Sequence, residues 1–252
     1  MSNMLVRKLL NVADLDSEQR SEIDQLCRHV RTVEARRDLI REGEVPDFLH
    51  LILEGWAARY KVLPDGSRQI IAFLIPGDFC DLHVNVLARM DHGIVTLSSC
   101  RVAFIENGRV EDLISKDPRL ARAFWWATLV DEAVLREWVV NNGRRNAHQR
   151  VAHLLCEMHV RMDMVGLARG GWLTLPLTQE QLSDATGMTP VHVNRTLQRL
   201  RSEDLIEIGK GQLTILDMQK LRDIAGFDPD YLHLRRQKGE LGADESEPSN
   251  LN

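Results

Sequence analysis

LTQEQLSDATGMTPVHVNRTLQRLRSEDL, residues 177–205, carries the start and stop signals of two consecutive helices. Thr178 precedes Gln181 at capping-box spacing, in which a hydroxyl and an amide each satisfy an N–H that the helix start leaves unpaired. Leu182 and Ala185 hold one apolar face until Gly187, a residue that adopts the positive φ of a sharp helix exit at little cost. Thr189 offers a second N-cap and Pro190 takes N1, where a missing N–H is harmless. Val193, Leu197 and Leu200 then recur at helical spacing, which predicts a helix over 190–201. Its polar face holds His192, Asn194, Arg195, Gln198, Arg199 and Arg201: donors for base edges and charge for phosphates. A lone basic helix is more often a solvated face. Two capped helices joined at a glycine match the geometry in which the second helix enters the major groove, and the stretch predicts DNA binding.

The rest of the chain fits such a role. Its 252 residues are enough for two cores, and no apolar run approaches the roughly 20 residues that span a bilayer. The N-terminal MSNMLVRKLLNV has too short an apolar part and no small-residue cleavage site for a signal peptide, so a cytoplasmic protein without a membrane partner is expected. The net charge of −5 is unevenly spread. Residues 1–143 hold 18 basic and 22 acidic side chains, 144–238 hold 14 and 11, and 239–252 hold none and 4. Only the segment around the helix pair is basic, where an electrostatic footprint on DNA belongs. Cys27, Cys80, Cys100 and Cys156 form no CxxC pair, which points to reduced, buried thiols and no metal site. No phosphate loop, GxSxG elbow or HExxH is present, so an enzyme is not expected. A regulatory module acting on a protein partner is the alternative, and it would leave the capped basic helix without a purpose.

Upstream, Leu15, Ile23 and Leu26 with Asp16 near the start suggest a lead-in helix within 14–29. Glycines at 43, 55, 66 and 77 then separate the apolar runs FLHLIL, WAARYKV and QIIAFLI, the pattern of an antiparallel roll. Within it, Trp56, Ala58, Tyr60 and Val62 face one way and Arg59 and Lys61 the other. Val95–Leu97 and Arg101–Ile105 are expected to close the roll as a last pair. Asp117 and Pro118 start a helix of about 25 residues, to Gly143. Its apolar residues, Leu120, Phe124, Trp125, Leu129, Val130, Val134, Trp138 and Val139 among them, cover more than one stripe. One stripe is expected on the roll and the other on the same helix of a second copy. A further helix over 146–164, a GLARGGW loop, a wing hairpin around Gly209–Gly211 and a closing helix over 217–225 follow. The tail RRQKGELGADESEPSNLN has the composition of disorder.

REGEVPDFLHLILEGWAARYKVLPDGSRQIIAFLIPGDF resembles the cyclic-nucleotide-binding-type roll of the Crp/Fnr family of bacterial transcription regulators, and TQEQLSDATGMTPVHVNRTLQRLRSEDLI resembles its DNA-binding element. The resemblance spans about residues 5–226. It implies an α+β fold: an N-terminal antiparallel β-roll (jelly-roll) sensor with its lead-in helix over 1–115, a long dimerisation helix over 116–143, a C-terminal winged helix-turn-helix domain over 144–226, and a disordered tail over 227–252. It further implies a homodimer on an inverted-repeat site in double-stranded DNA, with RNA polymerase as a further partner. His192, Asn194, Arg195 and Arg199 are then the expected base contacts, and Thr178, Gln179, Thr189 and Lys210 the phosphate contacts. Many relatives carry Arg-Glu and a second Arg four residues after the glutamate. Here Pro190, Val191 and Arg195 occupy those positions, so a different target site is expected.

The sensor departs from the cyclic-AMP-binding pattern as well. Relatives that bind cyclic AMP place Gly-Glu after the GDF turn and Arg with Ser or Thr about ten residues later. Here Cys80, Asp81 and Leu82 follow GDF, and Asp91, His92 and Gly93 stand near the later positions, with Arg89 close by. Asp81, Leu82, Arg89, Asp91 and His92 are the candidate pocket. An aspartate where a phosphate should sit is repulsive, so cyclic AMP is not expected. An iron–sulfur cluster needs about four thiolates and only Cys27 stands near the N-terminus, while haem would have to use lone histidines, His83 or His92. Neither cofactor is expected. An unidentified small ligand, cysteine redox chemistry and control by abundance stay open as inputs.

Overall fold

The computed structural model describes residues 3–82 and 89–234. His83 therefore lies outside the described residues, as does the tail beyond residue 234. Helix α1 (Met4–Leu9) opens the chain and buries Leu5, Val6 and Leu9. Its six residues are too few to display a period, and the sequence gives no sign of it. Helix α2 (Ser17–Leu26) is the expected lead-in helix, started by a capping box between Asp16 and Gln19. Seven strands follow: β1 (Val30–Val33), β2 (Asp38–Ile40), β3 (Phe48–Glu54), β4 (Ala57–Val62), β5 (Arg68–Leu74), β6 (Gly93–Thr96) and β7 (Cys100–Glu106). They form two antiparallel sheets, ordered β1-β7-β3 and β2-β6-β4-β5.

One expectation is corrected within this roll. Strands β6 and β7 do not pair with each other; β6 lies between β2 and β4, and β7 between β1 and β3. The chain changes sheets at 97–99, a corner that presses on Gly55, where an added Cβ would stand 2.3 Å from the Ser99 carbonyl oxygen. The β4 alternation holds, since its register to β6 runs unbroken from Ala57 to Tyr60 and the shift opposite Arg59 and Tyr60 falls in β5. The face that carries Arg59 is nonetheless covered, so Arg59 is not a surface residue. Its side chain is 12% exposed and donates to the Phe79 and Cys80 carbonyls at 3.1 and 2.9 Å and to Asp131 at 3.0 Å.

Helix α3 (Arg109–Lys116), also unforeseen, leads to α4 (Pro118–Arg144), which Asp117 caps through the Arg119 and Leu120 N–H groups. Helix α4 runs through Gly143 because a glycine in a helix weakens it without ending it. Leu120, Phe124, Val130, Val134 and Trp138 are buried, whereas Trp125, Leu129 and Val139 are 69, 53 and 75% exposed. One stripe thus packs within the chain, and the other is exposed among the described residues. Helix α5 (Ala147–Met164) carries a capping box at Asn146 and Gln149. The expected GLARGGW loop is a hairpin instead: β8 (Ala168–Arg169) and β9 (Trp172–Thr174) join the wing strands β10 (Ile206–Gly209) and β11 (Gln212–Ile215) in one sheet, ordered β10-β11-β9-β8. Gly171 makes this joint, with φ of +83° and an added Cβ only 2.4 Å from the Ile215 carbonyl oxygen. Between the two hairpins stand α6 (Gln179–Thr186) and α7 (Pro190–Ser202), and α8 (Met218–Ala225) follows. Residues 227–234 do not belong to a disordered tail. Phe227 and Leu232 are buried, residues 229–232 form a 3₁₀ turn, and Trp126 Nε1 donates to the His233 carbonyl at 3.1 Å. Among the described residues no helix is long and apolar enough to cross a membrane.

Buried charge ties the roll to the C-terminal half. Asp78, in the GDF turn, accepts from Lys8 of α1 and Arg161 of α5, each at 2.7 Å. Arg161 also donates to the Phe73 carbonyl at 2.9 Å and pairs with Glu157 at 3.2 Å. Glu157 in turn accepts from Trp138 Nε1 at 3.1 Å and Tyr231 OH at 2.9 Å. Two cations and two carboxylates balance, the arrangement that makes such burial tolerable. Burial opposes ionisation of Asp78, but Lys8 and Arg161 bring its carboxyl below the ordinary range. Burial dominates at Glu157 and raises it.

His50 gives the fold a dependence on pH. It is 5% exposed and edge-on to Phe104 at 4.7 Å, and burial, helped by Arg31, lowers its pKa to about 4. An unfolded histidine titrates near ~6.5. The unfolded chain therefore binds the proton first, and stability falls as pH drops from about 6.5 towards 4, by on the order of 2–3 kcal/mol. Urea midpoints measured across that range should show the fall, and His50→Leu should make it shallower, with the remainder carried by His153, which burial lowers to about 3.

Candidate nucleic-acid interface

Both helix starts form as the sequence predicts. Thr178 Oγ1 accepts from the Gln181 N–H at 3.1 Å while Gln181 Oε1 accepts from the Thr178 N–H at 2.9 Å. Gly187 leaves α6 in the left-handed conformation at φ +63°, and Thr189 Oγ1 accepts from the His192 N–H at 3.3 Å. Leu182 and Ala185 meet Val193, Leu197 and Leu200 in a core completed by Val151, Leu154 and Leu155 of α5. The last two carbonyls of α6 are held from outside the pair. Ala185 accepts from Asn142 at 3.2 Å and Gln69 at 3.4 Å, and Thr186 accepts from Arg150 at 2.6 Å. Arg68 of β5 pairs with Asp184 at 2.7 Å. The helix pair is thereby fixed to α4, to α5 and to the sensor roll.

The opposite face of α7 is open. His192, Asn194, Arg195, Gln198 and Arg199 are all exposed. Arg195 has no ion-pair partner among the described residues, and Asn194 accepts from Gln179 Nε2 at 3.3 Å across the turn. Arg201 departs from the expected polar face, because it donates to the Ile208 carbonyl and so braces the wing. Thr178 and Thr189 spend their hydroxyl acceptors on the caps, which places both at the exposed helix starts that would meet a backbone. Lys210 tops the wing turn at φ +53°, exposed. Beside α7, the start of α5 forms a notch of about 520 Å³ lined by Asn146, His148, His192, Arg195, Thr196 and Arg199. His148 and Glu203, both close to Arg199, were not legible as site residues, since the contact joins helices more than 50 residues apart in sequence.

The candidate ligand residues gather less completely. Asp91 and His92 pair with each other at 2.6 Å, beside β6, and Arg89 is exposed. Asp81 and Leu82 are half-buried, and Asp81 lies close enough to Arg59 to act on its charge. Arg59 is a cation of this region, missed because the sequence does not show that α4 covers its face of β4. All four cysteines are buried and unpaired in disulfides. Burial raises each thiol, Cys27 to about 11 and Cys156 to about 12.

Comparison with known proteins agrees with this architecture. Residues 30–117 match the cyclic nucleotide-binding domain, and residues 149–224 match the Crp-like helix-turn-helix domain. The transcriptional activatory protein AadR of Rhodopseudomonas palustris is 30% identical over 87% of this chain and 90% of its own. The transcriptional activator protein FnrL of Cereibacter sphaeroides is 27% identical over 86% and 88%. Among solved structures, FixK2 from Bradyrhizobium japonicum superposes with a TM-score of 0.70 at 25% identity, over 79% of this chain and 98% of its own. With a sensor-type roll, a long helix and an open, capped recognition helix in one chain, the protein belongs to the Crp/Fnr family of DNA-binding transcription regulators.

Proposed function

We propose that the protein works as a homodimer on an inverted-repeat promoter site, with α7 of each copy in the major groove. The observation that carries this is the open face of α7, where Arg195, without an ion-pair partner among the described residues, stands between His192 and Arg199. Arg195 reads guanine, His192, Asn194 and Arg199 contact neighbouring bases, and Thr178, Gln179, Thr189 and Lys210 hold the phosphates. Residues 1–115 form the sensor, 116–143 the dimer helix and 144–226 the DNA-binding domain. Work on promoters places the protein in the cytoplasm with RNA polymerase as its partner, and gives it no catalytic role. Arg59 already spends its charge on Asp131 and two carbonyls, which supports an input other than cyclic AMP. The raised thiols speak against oxidant sensing, since the thiolate is the reactive form. Selection of bound sequences from a random duplex pool tests the reading. A clear inverted repeat, bound with a steep loss of affinity in added salt, is expected; no enrichment, with binding insensitive to salt, would sink it.

The open stripe of α4 is the surface that supports the dimer. Val139→Asp places an unpaired carboxylate there, which costs several kcal/mol when desolvated. The dimer dissociation constant should rise at least about 100-fold, read by sedimentation equilibrium. An unchanged value would move the dimer contact elsewhere.

A further inference from the structure

Within the expected base-reading set, Arg199 is the arginine whose direction is constrained by an ion pair. Its Nε donates to Glu203 Oε1 at 2.8 Å, one helical turn away. The second carboxylate oxygen, Oε2, lies 2.9 Å from His148 Nε2 on α5. The three side chains become progressively less exposed along this chain of contacts, 63% for Arg199, 29% for Glu203 and 13% for His148. An ordinary exposed i,i+4 pair on a helix is weak and its members sample many rotamers. Here the carboxylate is also met from the opposite side, by a ring on another helix that is only 13% exposed, which limits where that end of the pair can move. Arg199 and His148 both line the notch that also holds His192 and Arg195. The guanidinium is therefore held over the same face as Arg195, with part of its charge neutralised.

We propose that Glu203 and His148 are positioning residues for Arg199. They hold its guanidinium towards base edges and away from the nearest phosphate, so that an arginine with reach for both contributes to sequence discrimination. A planar fork held in place loses less rotamer freedom when it makes two hydrogen bonds to a base. Released, the same arginine becomes a mobile cation that any phosphate satisfies. This inference rests on the proposed reading of α7 as the recognition helix.

The test compares wild type, Glu203→Gln, His148→Ala and Arg199→Ala on the selected duplex and on a random duplex, across a series of salt concentrations. Wild-type preference for the selected duplex is the readout of the recognition reading itself; without it, that reading and this inference fall together. Given that preference, Glu203→Gln should reduce it at least fivefold while random-duplex binding holds or tightens. The slope of log affinity against log salt should steepen by about one, as a freed arginine takes a phosphate. His148→Ala should shift both readouts the same way by less. In an Arg199→Ala background, Glu203→Gln should leave the preference unchanged. Thermal midpoints of all variants exclude misfolding as the cause, and Glu203→Asp provides a second variant should glutamine destabilise the helix end. Equal losses on both duplexes, or an unaltered preference with an unaltered slope, would overturn the proposal.

Discussion

Arg161→Met should lower the unfolding free energy by about 3–5 kcal/mol, the cost of removing one member of a buried ion group and leaving its partners uncompensated. The guanidinium satisfies Asp78, Glu157 and the Phe73 carbonyl at once, with its side chain 10% exposed. Without it, Asp78 keeps Lys8 and Glu157 keeps two neutral donors, so the group carries one net negative charge in a medium that solvates it poorly. For a chain of this size each kcal/mol moves the thermal midpoint by roughly 2–4 °C, and calorimetry should find a fall of about 6–20 °C. Adding Glu157→Gln to Arg161→Met removes the excess charge and should recover part of the loss. A change under about 1 kcal/mol for the single variant would mean that solvent reaches the group more freely than its burial indicates.

Arg195→Ala should have the largest effect on function. A good bidentate contact to guanine is worth about 1–3 kcal/mol, and a dimer loses it twice, so affinity for the selected site should drop by about 2–6 kcal/mol if the two half-sites add. The fall should be confined to duplexes that carry guanine at one position in each half-site, and preference at that position should vanish. Titrations with every base at that position read the outcome. Equal losses on specific and random duplexes would reassign Arg195 to the phosphates.

The recognition element was legible in the sequence because its rules are local. A cap three residues from its partner, a glycine at a helix exit and a proline at N1 act over a few residues, and α6 and α7 form with those caps. The sheets of the roll were less legible. Strands β6 and β7 are neighbours in sequence and read as a pair, but their partners are 30 or more residues away and the corner at 97–99 sends them to different layers. Arg59 lies on the face its alternation gives it, but that face is covered by Asp131 of α4 and the Phe79 and Cys80 carbonyls, partners that only the tertiary fold brings there. The segment 227–234 read as tail because its anchors, Phe227, Tyr231 and Leu232, are sparse, and each finds its place only against distant helices. Within the site, the caps and the exposed polar face were visible, whereas the Glu203 contact to His148 exists only once α5 and α7 have packed.

The grip of Asn142, Gln69 and Arg150 on the last carbonyls of α6, against which the recognition helix α7 packs, gives that helix a mechanical ratio. A helix held at its root in this way moves with α4 as one lever. In a dimer whose recognition helices engage successive grooves roughly 34 Å apart, each lies about 17 Å from the two-fold axis. A relative turn of about 10° then sweeps its tip through about 3 Å, close to the ~3.4 Å step from one base pair to the next. A small relative rotation of the two copies is thus large enough to take the protein out of register with its site.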